Sequence, residues 1–394
     1  MRIALVNALF PELGIGGSEI STFFLAKGLI GLGHDVRVLS QNVGQESVFD
    51  EFEGVSVFRL GSPAGYEPNV LAKPRLEIDA LRKQQSKVAH LSQRMRGAIE
   101  DFSPDIINTA VVGNATGFWK LASDMEIPVV HTLRSYSLLC HRRMLRVDGP
   151  CDRQCLSCAT NSRRSSRNHS NLVTGVIAIS DHVLDVHSRS GWFSNVANRA
   201  VIANSYEPTL EHVPDKAGAY DFGYLGRIHE TKGVEELLVA FIALRARGGP
   251  RRRLLIAGDG NPQYVEDLKQ RFEHPDVTFA GYLDQADFFR QTRICVVPSI
   301  WFEPFGRVFA EALHHATPVL GSRRGGGAEI LDENTGWLFD PDDPQDFFSA
   351  LEKCIELSQD RYEHMARACL ESATAYSVPA IARQYQDFYA KCLA

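Results

Sequence analysis

The stretch Ser299 to Glu311, SIWFEPFGRVFAE, combines two carboxylates, a proline, a glycine and an arginine at spacings that suit recognition of a phosphate flanked by hydroxyl groups. Pro304 biases Glu303 towards extended backbone, and Gly306 permits a tight turn or close approach to a ligand. RVFAEAL supplies helix formers among apolar residues, which predicts a helix beginning near Gly306. The first N–H groups of such a helix lack intrahelical partners and carry partial positive charge, so they can receive an anion. Glu303 precedes this helix and Glu311 lies more than a turn into it, so both carboxylates can face one cleft. That pattern suits a sugar nucleotide. The plainer reading is an amphipathic helix with two solvated glutamates.

A second group with chemical potential is Cys140, Cys151, Cys155 and Cys158, half of the eight cysteines in the chain. Cys155-Leu-Ser-Cys158 has the spacing of a zinc knuckle, and the four thiols make a candidate structural zinc site. Cys151-x3-Cys155-x2-Cys158 also matches the iron–sulfur motif of radical enzymes, although it lies mid-chain in an α/β half. Ordinary or oxidised thiols are the third reading. The surrounding window holds Arg134, Arg142, Arg143, Arg146, Arg153, Arg163, Arg164 and Arg167. Those cations are either solvated loop charge or a patch for an anionic acceptor, such as a lipid-linked diphosphate sugar, or for an anionic membrane surface.

These residues need elements to hold them, and 394 residues suggest two domains. A hydrophobic content of 44% and a charged content of 23% are those of a globular protein, and the net charge of −6 argues against general nucleic-acid binding. MRIALVNALF is too short an apolar run for a signal sequence and reads as a first strand. No later run approaches the roughly 18 apolar residues of a membrane span. The expected location is therefore cytoplasmic, with a candidate peripheral contact at the inner membrane face. In that compartment thiols or metal ligands are expected in preference to disulfides.

Arg2–Val6, a glycine loop containing Gly16 and Gly17, an apolar-periodic helix capped by Ser18, and Val36–Ser40 form a parallel α/β unit. Further strands are expected at Val55–Leu60, Asp105–Thr109, Val129–His131, Val173–Ile179 and Val201–Asn204, with a polar helix over 75–101. A loop-like linker follows from Ser205 to Ala219. A second series runs through strands at Asp221–Leu225, Arg253–Ala257, Val277–Ala280, Ile294–Pro298, Val319–Gly321 and Gly336–Phe339. Helices are expected from about Lys232 to Arg247, over 343–373 and over 378–392. Arg227 and Lys232 sit after a strand and at a helix start, where both can reach a diphosphate.

GYLGRIHETKG at 223–233, AGDG at 257–260, EPFGRVFAEA at 303–312 and GGGAEI at 325–330 occur in that order, supported by GWLFDPDDP at 336–344 and by GIGGSE near the N-terminus. With these motifs the chain resembles the retaining glycosyltransferases of family 4 over nearly its whole length. The resemblance implies an α/β architecture of the GT-B type, two Rossmann-like domains facing each other across a cleft. It implies an acceptor-side domain over 1–205, with a Cys/Arg-rich insertion at about 134–170. A nucleotide-sugar domain would span 206–375, and a C-terminal helix over 376–394 would return to the first domain.

The same resemblance implies that Arg227 and Lys232 bind the leaving diphosphate, Glu311 the ribose hydroxyls and Glu303 a donor-sugar hydroxyl. Gly16, Gly17, Gly226, Gly258, Phe305, Gly306 and Arg307 would complete the donor site. His131, expected at a strand end, would lie beside the donor sugar as a catalytic residue, with the structural alternative of a satisfied core histidine; Arg134 is a further candidate. The implied donor is UDP- or GDP-linked, catalysis needs no metal or other cofactor, and the partners are the donor and a sugar acceptor. The chain alone leaves open a cluster-bearing redox or radical enzyme and an inactive sugar-nucleotide binder.

Overall fold

A computed structural model of the chain describes residues 1–11, 17–42, 45–61, 95–110, 115–140, 145–146, 149–151, 154–156, 158, 164–207, 212–214, 216 and 220–394. The chain divides into two compact units. The first comprises Met1–Met144, Arg153–Ser205 and Val378–Ala394; the second comprises Leu145–Asp152 and Tyr206–Ser377.

The first unit is built on β1 (Arg2–Val6), β2 (Asp35–Gln41), β3 (Val48–Phe52), β4 (Val55–Leu60), β5 (Ile106–Thr109) and β6 (Val129–Leu133). The short strands β7 (Leu145–Arg146) and β8 (Gly149–Pro150), which belong to the second unit, form a separate two-stranded antiparallel pair, and β9 (Gly175–Ala178) and β10 (Asn198–Val201) complete the first sheet. Its order is β10-β9-β6-β5-β1-β2-β4-β3, parallel throughout except for the antiparallel edge strand β3. Apolar runs such as IALV and VVHTL are buried along their length, as parallel strands covered on both faces must be. Ile3, Val38, Val57, Ile106, Val130 and Ile177 form the core with Tyr385, Phe388 and Tyr389 of the helix Val378–Leu393. That last helix packs against the helix Gly17–Gly31, where a Cβ on Gly28 would stand 2.7 Å from the Ala382 Cβ.

The second unit contains β11 (Tyr220–Leu225), β12 (Leu254–Ala257), β13 (Val277–Gly281), β14 (Thr292–Val297), β15 (Val319–Ser322) and β16 (Gly336–Phe339). These form a wholly parallel sheet in the order β13-β12-β11-β14-β15-β16. Strand order reverses between β11 and β14. In open α/β sheets a ligand binds at such a switch point, outside the strands' carboxyl ends. The first sheet reverses likewise between β1 and β5.

Several sequence expectations differ from the structure. The last strand of the first sheet is Asn198–Val201, not Val201–Asn204; its alternating exposure is that of an edge strand, which carries no apolar run. The single helix expected over 343–373 is two, Pro344–Ile355 and Gln359–Ala373, because Ser358 caps the second by accepting from the Arg361 N–H. Most of the helix expected over 75–101 lies outside the described residues, which show Arg96–Phe102. Strand β3, VFDEF, adds an element not anticipated.

Candidate functional site

The switch point of the second sheet is lined by the loops that follow β11, β12 and β14. After β11, Gly226 donates its N–H to the Ala257 carbonyl (3.1 Å) and Ile228 to the Asp259 carbonyl (2.8 Å). This draws the Gly226–Ile228 loop against Gly258–Gly260. Gly258 has φ 136°, and a Cβ there would stand 1.8 Å from the Gly226 oxygen, so only glycine allows the two backbones to meet. The buried Tyr224 hydroxyl donates to the Arg227 carbonyl (2.7 Å), which fixes the loop while the Arg227 side chain remains exposed. Burial raises the Tyr224 phenol far above its ordinary range, and Glu303 adds to that, so it stays a neutral donor.

A short 3₁₀ turn, Glu230–Lys232, delivers Lys232. The His229 ring accepts from the Thr231 N–H (3.2 Å) at its start, and Gly233 ends it in the left-handed region at φ 69°. From there Lys232 pairs with Oε1 of Glu303, which also accepts from the Ser299 hydroxyl (3.0 Å). The Lys232 ammonium lies 5.5 Å from the Trp301 ring centroid. Glu303 is only 8% exposed, so an ion pair and a hydrogen bond compensate a carboxylate largely removed from water. Ser299 and Trp301 lie within the stretch first singled out, but their roles come from the turn between β14 and the next helix, which spacing does not reveal. The Gly233 backbone is equally demanding, since a Cβ there would meet the Pro298 oxygen at 1.8 Å. Gly233→Ala is expected to cost at least about 2 kcal/mol of stability; denaturant unfolding of the variant checks this, and an unchanged midpoint would refute it.

The helix expected near Gly306 runs Arg307–His314, with Gly306 in the left-handed region (φ 73°) at its N-cap and, among the described residues, no side chain capping it. Gly325, also at positive φ, lies against the Glu303 backbone, and the Gly326 N–H donates to the Glu303 carbonyl (2.8 Å). Arg307 Nε donates to Glu311 Oε1 (3.2 Å), and its guanidinium carbon stands 4.8 Å from the Tyr206 ring centroid. Burial raises the Glu311 carboxyl above its ordinary range, and Arg307 opposes that shift in part. Phe305 is buried and stacks on Tyr206. The second unit therefore places Gly226, Arg227, Lys232, Gly258, Glu303, Phe305, Gly306, Arg307 and Glu311 on the loops and helix start that surround one switch point.

In the first unit, Gly17 opens the helix Gly17–Gly31, whereas Gly16 lies outside the described residues. Ser18 is inside that helix and donates to Asn7 Oδ1 (3.2 Å), tying the helix start to the residue after β1. His131 is placed differently from its expectation. It is the third residue of the five in β6, which ends at Leu133, so Arg134 occupies the strand's carboxyl end. The His131 ring is 3% exposed, pairs with the Thr109 hydroxyl (2.8 Å), meets Trp119 edge-on and stacks with Phe193. Burial, helped by the nearby His187, lowers its pKa to about 3. This is the environment of a neutral core histidine. Arg134 donates to Asn204 Oδ1.

Three of the four clustered cysteines, Cys140, Cys155 and Cys158, belong to the first unit, and Cys151 to the second. Cys158 Sγ stands 3.0 Å from Cys140 Sγ. Sulfurs around a tetrahedral zinc, with bonds of about 2.3 Å, stand about 3.8 Å apart. Among the described residues no group of three or more His, Cys, Asp or Glu side chains is arranged to hold a metal ion. Of the window's arginines, 142, 143, 153 and 163 lie outside the described residues.

Two α/β units, each on a largely parallel sheet with a switch point, and one with charged side chains gathered on the loops there, define a doubly wound two-unit architecture. The family models say which enzymes share it. Residues 15–204 match "Glycosyltransferase Family 4" and residues 219–357 match "Glycosyl transferases group 1". An uncharacterized 42.6 kDa protein in the cps region of Klebsiella pneumoniae is 30% identical over 84% of this chain and 87% of its own. A GDP-mannose-dependent alpha-mannosyltransferase of Corynebacterium glutamicum is 24% identical over 100% and 90%. In fold the chain is similar to sucrose-phosphate synthase from Thermosynechococcus elongatus (TM-score 0.74, 20% identity, 99% and 98% covered). It is likewise similar to Anabaena HepE in complex with UDP (TM-score 0.69, 19% identity, 99% and 100% covered). The chain belongs to the family 4 glycosyltransferases and has the GT-B fold, which displaces the reading as a cluster-bearing redox or radical enzyme.

Proposed function

We propose that this glycosyltransferase moves a hexose from a UDP- or GDP-linked donor to a hydroxyl of a glycan, a lipid-linked sugar or a small molecule, with retention at the anomeric carbon. The observation that carries the reading is the group Lys232, Glu303 and Ser299, set at the switch point of the second sheet beside the uncapped helix start at Gly306. Arg227 and Lys232 bind the diphosphate and stabilise its charge as the sugar leaves. Backbone N–H groups at Gly306 and Arg307 add to that cradle. Glu311 holds the ribose hydroxyls, and Glu303 a hydroxyl of the sugar.

In this mechanism the acceptor hydroxyl attacks from the face the diphosphate leaves, and a diphosphate oxygen takes its proton. Rate enhancement then rests on positioning and charge stabilisation, without a protein nucleophile or a metal. The first unit carries the acceptor. An inactive binder is the poorer reading, because every charged position of the donor site is filled. Support for a nucleotide-sugar donor also comes from the names of the similar proteins, one dependent on GDP-mannose and one solved with UDP.

A thermal-shift panel of UDP, GDP, ADP and their hexose conjugates tests the proposal. One base is expected to raise the midpoint selectively, by several degrees at about 100 times its Kd, and Glu311→Ala is expected to abolish the shift. Absence of a shift with every nucleotide would remove the donor reading.

A further inference from the structure

We propose that Cys155, Cys158 and Cys140 form a thiol relay that ends in a reversible Cys140–Cys158 disulfide. Cys140 follows the loop after β6, and Cys158 lies on the segment that leads into the helix Arg164–His169. Their sulfurs are 3.0 Å apart, inside non-bonded contact, and about 1 Å of movement brings them to a disulfide length of about 2.05 Å. The two segments are already held together, since the Gln154 amide donates to the Leu139 carbonyl. Cys140 is 5% and Cys158 3% exposed, whereas Cys155 is partly open to solvent and also lies within hydrogen-bond reach of Cys158. Cys158 therefore stands in contact with both other thiols, and only Cys155 offers an outside reagent access.

The chemistry balances with a small-molecule disulfide as oxidant. The Cys155 thiolate attacks oxidised glutathione, forming a mixed disulfide and releasing one glutathione thiolate. The Cys158 sulfur, having lost its proton to solvent, attacks the Cys155 sulfur and releases the second glutathione. Cys140, likewise deprotonated, attacks the Cys158 sulfur; the Cys140–Cys158 bond forms and Cys155 leaves as a thiolate that reprotonates. Two electrons pass from the protein to glutathione disulfide. Once formed, the bond is shielded from reduction because both sulfurs are buried. It ties the loop bearing Arg134 to the segment beyond Cys155, and it does not depend on the donor reading.

The test is to incubate the full chain with oxidised glutathione at pH 8.5, quench with acid, and map disulfides by mass spectrometry of a non-reducing digest. The expected product is a peptide pair joined through Cys140 and Cys158, with Cys155 reduced. Cys155→Ser is expected to slow its formation by at least about tenfold, and Cys140→Ser to halt the relay at Cys155–Cys158. A wild-type chain that stops at the Cys155 mixed disulfide overturns the proposal. So does one mole of zinc per chain, found by elemental analysis, that must be chelated before any of these thiols oxidises.

Discussion

Lys232→Ala is expected to lower the rate of nucleoside diphosphate release from the donor by about a hundredfold or more. Lys232 is the ammonium at the switch point of the second sheet, held by the 3₁₀ turn and by Gly233 so that it meets Glu303. A charge-assisted hydrogen bond contributes about 1.5–3 kcal/mol, and two of them to a departing diphosphate account for a loss of that size. The substitution also leaves Glu303, 8% exposed, without its cation. Stability should therefore fall by about 1–3 kcal/mol, which circular dichroism and a denaturant titration separate from the kinetic effect. Initial rates at saturating donor make the measurement, with the base chosen from the nucleotide panel. A fall of less than tenfold would contradict the charge role and leave Lys232 as a partner that merely neutralises Glu303.

The loop geometry around the candidate site of the second unit was legible in the sequence because it depends on local backbone. Gly226, Gly258, Gly306 and Gly325 stand at positive φ, and each lies in one of the four motifs singled out in the second half of the sequence. Parallel strands were legible for a related reason, since burial on both faces leaves apolar runs with sharp ends. What was not legible rests on contacts distant in sequence. The edge strand VFDEF is half exposed and carries two acids, so nothing in its composition separates it from a loop. The Ser299–Glu303 bond follows from the path of a turn. The cysteines were grouped by spacing, yet three thiols belong to one unit and Cys151 to the other. His131 was expected at a strand end because the strand was read as Val129–His131. Thr132 and Leu133 continue β6, and Thr109, from the neighbouring strand, satisfies the ring inside the core.

That placement has a consequence in acid. His131 has its pKa lowered to about 3, by burial and then by His187; His187 has its own lowered to about 4, by burial and then by His182. His187 donates from Nδ1 to the Val183 carbonyl (2.7 Å), while its Nε2 is buried without a partner among the described residues. The unfolded chain binds these protons near pH 6.5, so between that value and the folded pKa it holds more protons than the native state. The stability contributed is whole above pH 6.5 and is lost as pH falls, at about 1.4 kcal/mol per pH unit for each histidine. Between pH 7 and pH 5 each should cost about 2 kcal/mol. His131→Leu removes the titrating ring and leaves the Thr109 hydroxyl bonded to the Trp119 indole N–H, so urea unfolding of the variant should show an acid slope shallower by that amount. Its transfer rate at pH 7.5 should stay within about threefold of wild type, since a ring enclosed by Trp119 and Phe193 makes no contact that strengthens in the transition state. A collapse of activity in a well-folded His131→Leu protein would instead place the ring in the chemistry, and would require the core around Thr109 to open when donor binds.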